Sequence, residues 1–358
     1  MTSTPHLFRP LTLRGLTLTN RIVVSPMCQY SATDGLAEDW HLVHLGSRAV
    51  GGAGLVFTEA SAVSREGRIT PGCLGLWTDD QVEPLARIVR FLKSQGAATG
   101  IQLAHAGRKA STTAPWKGGN PILAGEPDAW TPVAPSAVPF TPAHPVPQQI
   151  DFAGIGKLRD DFRRAARRAV RAGFDLIEIH AAHGYLLHSF LSPLTNHRKD
   201  DYGGSLDNRC RLAVQVATDL RAIVPEAMPL FVRISSTDWV EGGWDLTQSI
   251  ALSKMLREVG VDVIDCSSGG AVSDAKVPVA PLYQVPFAEA IRRDAGIATA
   301  AVGMIQTPAE AEGIIADGKA DLVLMAREFL RSPYWPTTAA KALGVPPKVP
   351  LQYGRAFS

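Results

Sequence analysis

Eight short, continuously apolar segments separated by helix-length stretches constrain this chain more than any other feature. They fall at 22–24, 55–58, 99–103, 176–179, 230–234, 263–265, 298–302 and 322–325. A strand that is apolar on both faces needs cover on both, as in a parallel sheet wrapped by helices. The intervening stretches supply that cover. After Asp80, residues Val82, Leu85, Ile88, Val89 and Leu92 recur at helical spacing, and Gly96 offers a C-terminal stop. Eight alternating units predict an α/β fold: a single (β/α)8 TIM barrel over residues 1–358, although the length would also hold two domains.

Two segments lie outside the repeat. Residues 10–20 read as an N-terminal hairpin turning near Arg14 and Gly15, placed to plug the bottom of a barrel. Residues 104–149 form a long loop after the third strand, rich in proline and glycine, and loops of this length are more often functional lids than filler. Before the fourth strand, Leu158, Phe162, Ala165 and Ala169 share one helix face, while Arg163, Arg164, Arg167, Arg168 and Arg171 share the other. The arginine run reads as a solvated face rather than a nucleic-acid site. It has the period of an exposed stripe, and 36 basic against 34 acidic side chains leave a net charge of only +2. No apolar run approaches the ~18–20 residues that span a bilayer, and residues 1–14 lack the apolar stretch of a secretion signal. Cys28, Cys73, Cys210 and Cys266 are scattered without a CxxC pair, which argues against a disulfide framework, a zinc ribbon or an iron–sulfur cluster. The expectation is a cytoplasmic enzyme with neither membrane nor nucleic-acid partners.

The active site of such a barrel is built at the C-terminal ends of its strands. Here that end collects Ser25-Pro26-Met27-Cys28, Glu59-Ala60, Gln102, His180, His183, Tyr185, Arg233, Gly303-Met304 and Ala326-Arg327. An unpaired guanidinium inside an apolar strand is costly. Arg233 therefore calls for a carboxylate such as Glu59, for a turn out to the rim, or for a partner with negative charge such as a reduced cofactor. The spacing of His180 and His183 suits a metal-ligand pair, two hydrogen-bond donors to a substrate oxygen, or a structural pair. No acidic or cysteine ligand nearby completes a metal set, and Tyr185 would add a phenolic proton donor to the second reading. Gly303 and Arg327 follow strands seven and eight, where such barrels usually hold phosphate, and this favours a phosphorylated cofactor or substrate over plain helix packing.

Longer motifs add a family resemblance. SPMCQY (25–30), GRITPGCLGLW (67–77), IQLAHAGRKA (101–110), APSAV (134–138) and HAAHGYLLHSFLSPLTNHRKDDYGGSLDNR (180–209) together resemble the Old Yellow Enzyme family of flavin-dependent ene-reductases. The match is to its thermophilic-like branch of bacterial NADPH dehydrogenases and xenobiotic reductases. The resemblance implies bound FMN, reduction by NADPH or NADH, and ping-pong reduction of activated alkenes, either α,β-unsaturated carbonyl or nitro compounds. It implies that Ser25, Pro26, Met27 and Cys28 run along the flavin, that Ala60 and Gln102 bond the ring edge, and that Arg233 lies near its N1 and C2 oxygen. Gly303, Ala326 and Arg327 would hold the phosphate, with Ala326 a departure from the family's usual glycine. Cys28 stands where other branches place threonine and would tune the flavin and touch substrate; its alternative is a small buried hydrophobe. His180 and His183 would bind the substrate oxygen, which displaces the metal reading, while Tyr185 delivers the proton and Tyr30 lines the pocket.

The tail of about 345–358, with Leu351-Gln352-Tyr353-Gly354-Arg355, resembles a segment that reaches a neighbouring subunit in this branch. Arg355 would then complete a neighbour's site in a homodimer or homotetramer; a frayed terminus is the alternative. Three rivals compete. A relative acting on dienoyl-CoA thioesters would need a second domain and a cysteine cluster that this chain lacks. A metal-dependent hydrolase would use the histidine pair as ligands. A noncatalytic scaffold would have no use for the intact His-His-Tyr set.

Overall fold

The eight apolar segments close on themselves in the computed structural model, which describes residues 4–357; the ends of the expected domain, 1–3 and 358, lie outside the described residues. Strands β1 (Leu11–Leu13) and β2 (Leu16–Leu18) form the antiparallel hairpin, turning at Arg14–Gly15. The barrel begins with β3 (Ile22–Val24), β4 (Leu55–Ala62) and β5 (Ala98–Ala104). The long loop then carries a short parallel pair, β6 (Val133–Ala134) and β7 (Gln148–Gln149). The barrel resumes with β8 (Leu176–Ala181), β9 (Leu230–Ser235), β10 (Val263–Ser267), β11 (Ala298–Ala301) and β12 (Leu322–Met325). All eight barrel strands pair in parallel, and β12 returns to β3.

Most of these strands run further than their apolar cores. β4, β5, β8, β9 and β10 continue into alanine, serine or histidine, because backbone pairing persists after the side chains turn polar at the mouth. Strand β4 also shifts register between Phe57 and Ala60, a bulge of the kind that re-aims side chains beside functional sites.

Helices α1 (Asp39–Val50), α2 (Val82–Ser94), α3 (Phe152–Ala172), α4 (Leu186–Leu191), α5 (Leu206–Arg221), α6 (Leu246–Glu258), α7 (Val285–Ala295) and α8 (Pro308–Ala316) cover the sheet. They are followed by α9 (Arg327–Arg331) and α10 (Trp335–Ala342). In α3 the Asp151 carboxylate caps the N-terminus by accepting the Gly154 N–H at 2.7 Å, and Leu158, Phe162, Ala165 and Ala169 are buried. Four arginines of its outer face are matched to carboxylates: Arg163 to Asp160 and Asp219, Arg164 to Asp161, and Arg168 and Arg171 to Asp79. A stripe so neutralised offers little to a phosphate backbone.

The hairpin plugs the bottom as expected. Leu13 and Leu18 join Val23, Leu55, Phe57, Leu176, Phe231, Val263, Leu322 and Leu324 in one interior cluster, with the Phe57 and Phe231 ring centroids 6.0 Å apart. Among the described residues, no helix is long and apolar enough to cross a membrane.

Candidate active site

Above that hydrocarbon floor the interior turns polar. Register sets Arg233 beside His180 on one side and Asp265 on the other, and sets Gln102 beside Glu178. The Arg233 guanidinium donates through Nη1 to Ser25 Oγ at 3.0 Å, and its Nε lies 3.3 Å from Asp265 Oδ2. Its carboxylate neighbour is therefore Asp265, not Glu59. Glu59 turns instead to His41, with Oε1 3.3 Å from His41 Nε2 and Oε2 accepting the Gln29 N–H at 3.1 Å. Gln102 Nε2 donates to Glu178 Oε1 at 2.7 Å, and Glu178 Oε2 has no partner. Burial, then the nearby Asp265, push the Glu178 carboxyl well up despite Arg233, so Glu178 is held toward its neutral form. Burial also raises Asp265 to about 6 against the pull of Arg233.

The end of β8 and the turn after it bring three rings together. His180 and His183 lie 5.1 Å apart at 85°, and Tyr185 stands 4.9 Å from His180 and 6.5 Å from His183. His180 Nδ1 accepts the Ala182 N–H at 3.2 Å, which places the ring proton on Nε2 and makes that edge a donor. His183 Nε2 is 2.7 Å from Ser267 Oγ. Burial, then the Arg233 charge, lower both imidazoles well below their ordinary range, so both are neutral. Burial, reinforced by Cys28 and Tyr30, pushes the Tyr185 phenol well up, so it keeps its proton. Among the described residues, no group of three histidine, cysteine or acidic side chains could hold a metal.

Cys28 and Tyr30 lie close enough for each to influence the other's protonation. Burial, then Glu59, hold the Cys28 thiol far above its ordinary value, so it is a neutral thiol rather than a thiolate nucleophile. The long loop folds over this region: Trp116 meets Tyr30 edge-on at 5.7 Å. Lys109, which the sequence reading passed over within its own motif, reaches in from the same loop. Its Nζ donates to His183 O at 2.9 Å and Gly270 O at 3.3 Å and lies 5.4 Å from the centre of the Tyr185 ring. Burial, then Arg108, lower this ammonium to about 8.

Strands β10 to β12 end on a cleft of about 190 Å³ that Arg233, Ser267, Gly303, Met304, Ala326 and Arg327 help to line. Gly303 has φ +125°, and a Cβ there would approach Gln284 Nε2 to 2.8 Å; only glycine fits. Ala326 adopts φ −109° and ψ −85°, and no side chain caps the backbone that follows it. Arg233 thus connects the ring cluster to the cleft. Arg355 lies elsewhere, in the exposed turn Leu351–Ala356, where Tyr353 packs on Tyr334 at 6.3 Å.

A parallel barrel with a polar mouth, a fixed guanidinium and an anion-sized cleft after the last strands is a site suited to a phosphorylated ligand. The family model of the NADH:flavin oxidoreductase / NADH oxidase family matches residues 6–345. An NADPH dehydrogenase of Geobacillus thermodenitrificans is 48% identical over 353 residues, 98% of each chain. Among solved structures, morphinone reductase superposes with a TM-score of 0.79 at 28% identity, over 97% of this chain and 92% of its own. An Old Yellow Enzyme homologue from Zymomonas mobilis gives 0.77 at 28%, over 96% and 94%. The chain belongs to the NADH:flavin oxidoreductase / NADH oxidase family, and its cofactor is FMN.

Proposed function

We propose that this enzyme is an ene-reductase that uses NADPH or NADH to reduce activated C=C bonds in α,β-unsaturated carbonyl and nitro compounds by ping-pong turnover. The observation that carries the reading is the perpendicular set of His180, His183 and Tyr185, with His180 Nε2 a donor and the phenol protonated. The name of the Geobacillus relative supports NADPH as reductant.

The residues present fit FMN on two structural grounds. Arg233 and Arg327 bring fixed positive charge to one cleft, and Gly303 beside them, at positive φ, leaves the backbone bare of a side chain. Ser25, Pro26, Met27, Cys28, Ala60 and Gln102 would flank the ring system, and Gly303, Ala326 and Arg327 the phosphate. When bound, FMN would supply the hydride-transfer chemistry between the nicotinamide and the alkene. Arg233 would hold fixed positive charge beside the ring system. His180 and His183 orient the substrate by its carbonyl or nitro oxygen and stabilise the charge that develops there. Neutral imidazoles suit this role, since each donates a hydrogen bond without surrendering a proton. Tyr185 protonates the α-carbon. The Cys28 thiol and Tyr30 line the pocket, and Arg355 of one copy would complete the site of a neighbour in a homo-oligomer.

Anaerobic absorbance spectroscopy of the purified protein tests this reading. A flavin band bleached by NADPH and restored by 2-cyclohexenone is the expected course. Absence of a flavin band after incubation with FMN, or bleaching that the enone does not reverse, would overturn it.

A further inference from the structure

The turn that carries the ring cluster is held by a buried pair with no part in the chemistry above. His183 (φ +60°) and Gly184 (φ +72°) are consecutive left-handed residues, a conformation strained for a non-glycine residue. Hydrogen bonds to the turn's own amides offset that strain. The His183 N–H donates to Ser235 Oγ at 2.9 Å, and the Gly184 N–H donates to His188 Nδ1 at 2.8 Å. An amide N–H only donates, so His188 Nδ1 holds a lone pair and the ring proton sits on Nε2. That nitrogen lies 3.1 Å from Asp238 Oδ1, and both side chains are fully buried. The other Asp238 oxygen accepts the Ser192 hydroxyl at 2.6 Å and the Trp244 N–H at 2.8 Å. Burial disfavours the charged Asp238 carboxylate, and the Ser192 and Trp244 hydrogen bonds oppose that by favouring its ionised form.

We propose that Asp238 and His188 are a positioning pair: Asp238 fixes the His188 tautomer, and His188 holds the Gly184 amide so that Tyr185, the next residue, points its phenol at the alkene. The inference rests on the reading of Tyr185 as proton donor. Two amide side chains separate its halves. In His188→Asn the amide oxygen falls where Nδ1 was and still accepts from Gly184. In His188→Gln the amide nitrogen falls where Nε2 was, which keeps the Asp238 contact and loses the Gly184 one.

The test reduces the FMN-loaded enzyme with dithionite and follows its reoxidation by 2-cyclohexenone and, separately, by dioxygen, which needs no positioned phenol. His188→Gln and His188→Leu should slow the enone reaction by about tenfold or more, as should Asp238→Asn, whose amide cannot fix the tautomer. His188→Asn should stay within about threefold of the native rate. All four should keep flavin and the native rate with dioxygen. Native enone rates in His188→Gln and His188→Leu, while Tyr185→Phe is slow, would overturn the pair and leave the proton donor standing. A native rate in Tyr185→Phe would overturn the reading itself. Equal losses with enone and dioxygen, or loss of flavin, would assign the pair a general structural role and overturn the inference.

Discussion

Phe231 and Arg233 sit two residues apart on β9 and face the same barrel interior, yet their surroundings follow opposite rules. Phe231 is sealed among Phe57, Leu176, Val263 and the hairpin leucines, where burial needs no partner and the shape of neighbouring side chains sets the energy. Arg233 is almost as buried, among Ser25, Asp265 and Glu178, where every group depends on another's charge or hydrogen bond. The floor tolerates change by repacking, at a cost in stability. The mouth has no equivalent freedom: removal of one member leaves the others buried and unmatched. Stability and chemistry are thus stacked along one barrel axis, and substitutions in the two halves should fail in different ways.

The largest effect belongs to the mouth. Arg233→Met leaves Asp265 and Glu178 facing each other without their cation, a loss of about 3 kcal/mol or more. FMN affinity measured by fluorescence should fall by on the order of 100-fold. Flavin retained at native affinity would show that the guanidinium serves the barrel alone. Tyr185→Phe comes next. It removes the proton but little volume, so enone turnover should drop by roughly 100-fold with flavin content unchanged, as stopped-flow absorbance would record.

At the floor, Leu18→Ala opens a void in the cluster that Leu18 shares with Phe57 and should cost about 2–5 kcal/mol, read as a lowered Tm. Turnover per bound flavin should stay within about twofold. A collapse of turnover at unchanged Tm would join the two halves that are separated here.

Acid should expose a smaller difference. Burial lowers His44 to about 3 and His105 to about 4, each below the 6.5 of an unfolded chain. Between those values the unfolded state binds protons that the native state refuses, so stability rises with pH and is lost as pH falls from about 6.5 towards 4. Thermal melts across that window should fall steadily towards acid, and a flat profile would contradict the assignment.

The same contrast explains what could be read in the amino-acid order. Floor residues announce themselves locally: Val23, Leu55, Phe57 and Leu324 stand in apolar runs, and the turn at Arg14–Gly15 marks the hairpin. Single mouth residues, including His180, His183, Tyr185 and Arg233, were legible from strand-end position and motif. Their partners were not. Asp265 meets Arg233 only because β9 and β10 pair in one register, and Asp238 meets His188 across fifty positions of chain. Glu59 looked the natural partner of Arg233 until the β4 bulge and His41 claimed it. Lys109 gave no local signal, since its contacts are carbonyl oxygens and ring faces that charge pairing does not announce.

The most direct test of the account removes the imidazoles and keeps the cofactor. His180→Ala/His183→Ala, loaded with FMN, reduced with dithionite and mixed anaerobically with 2-cyclohexenone, should reoxidise on the order of 100-fold more slowly than the native enzyme at native flavin content. Reoxidation at the full native rate would contradict the assignment of both histidines to the substrate oxygen.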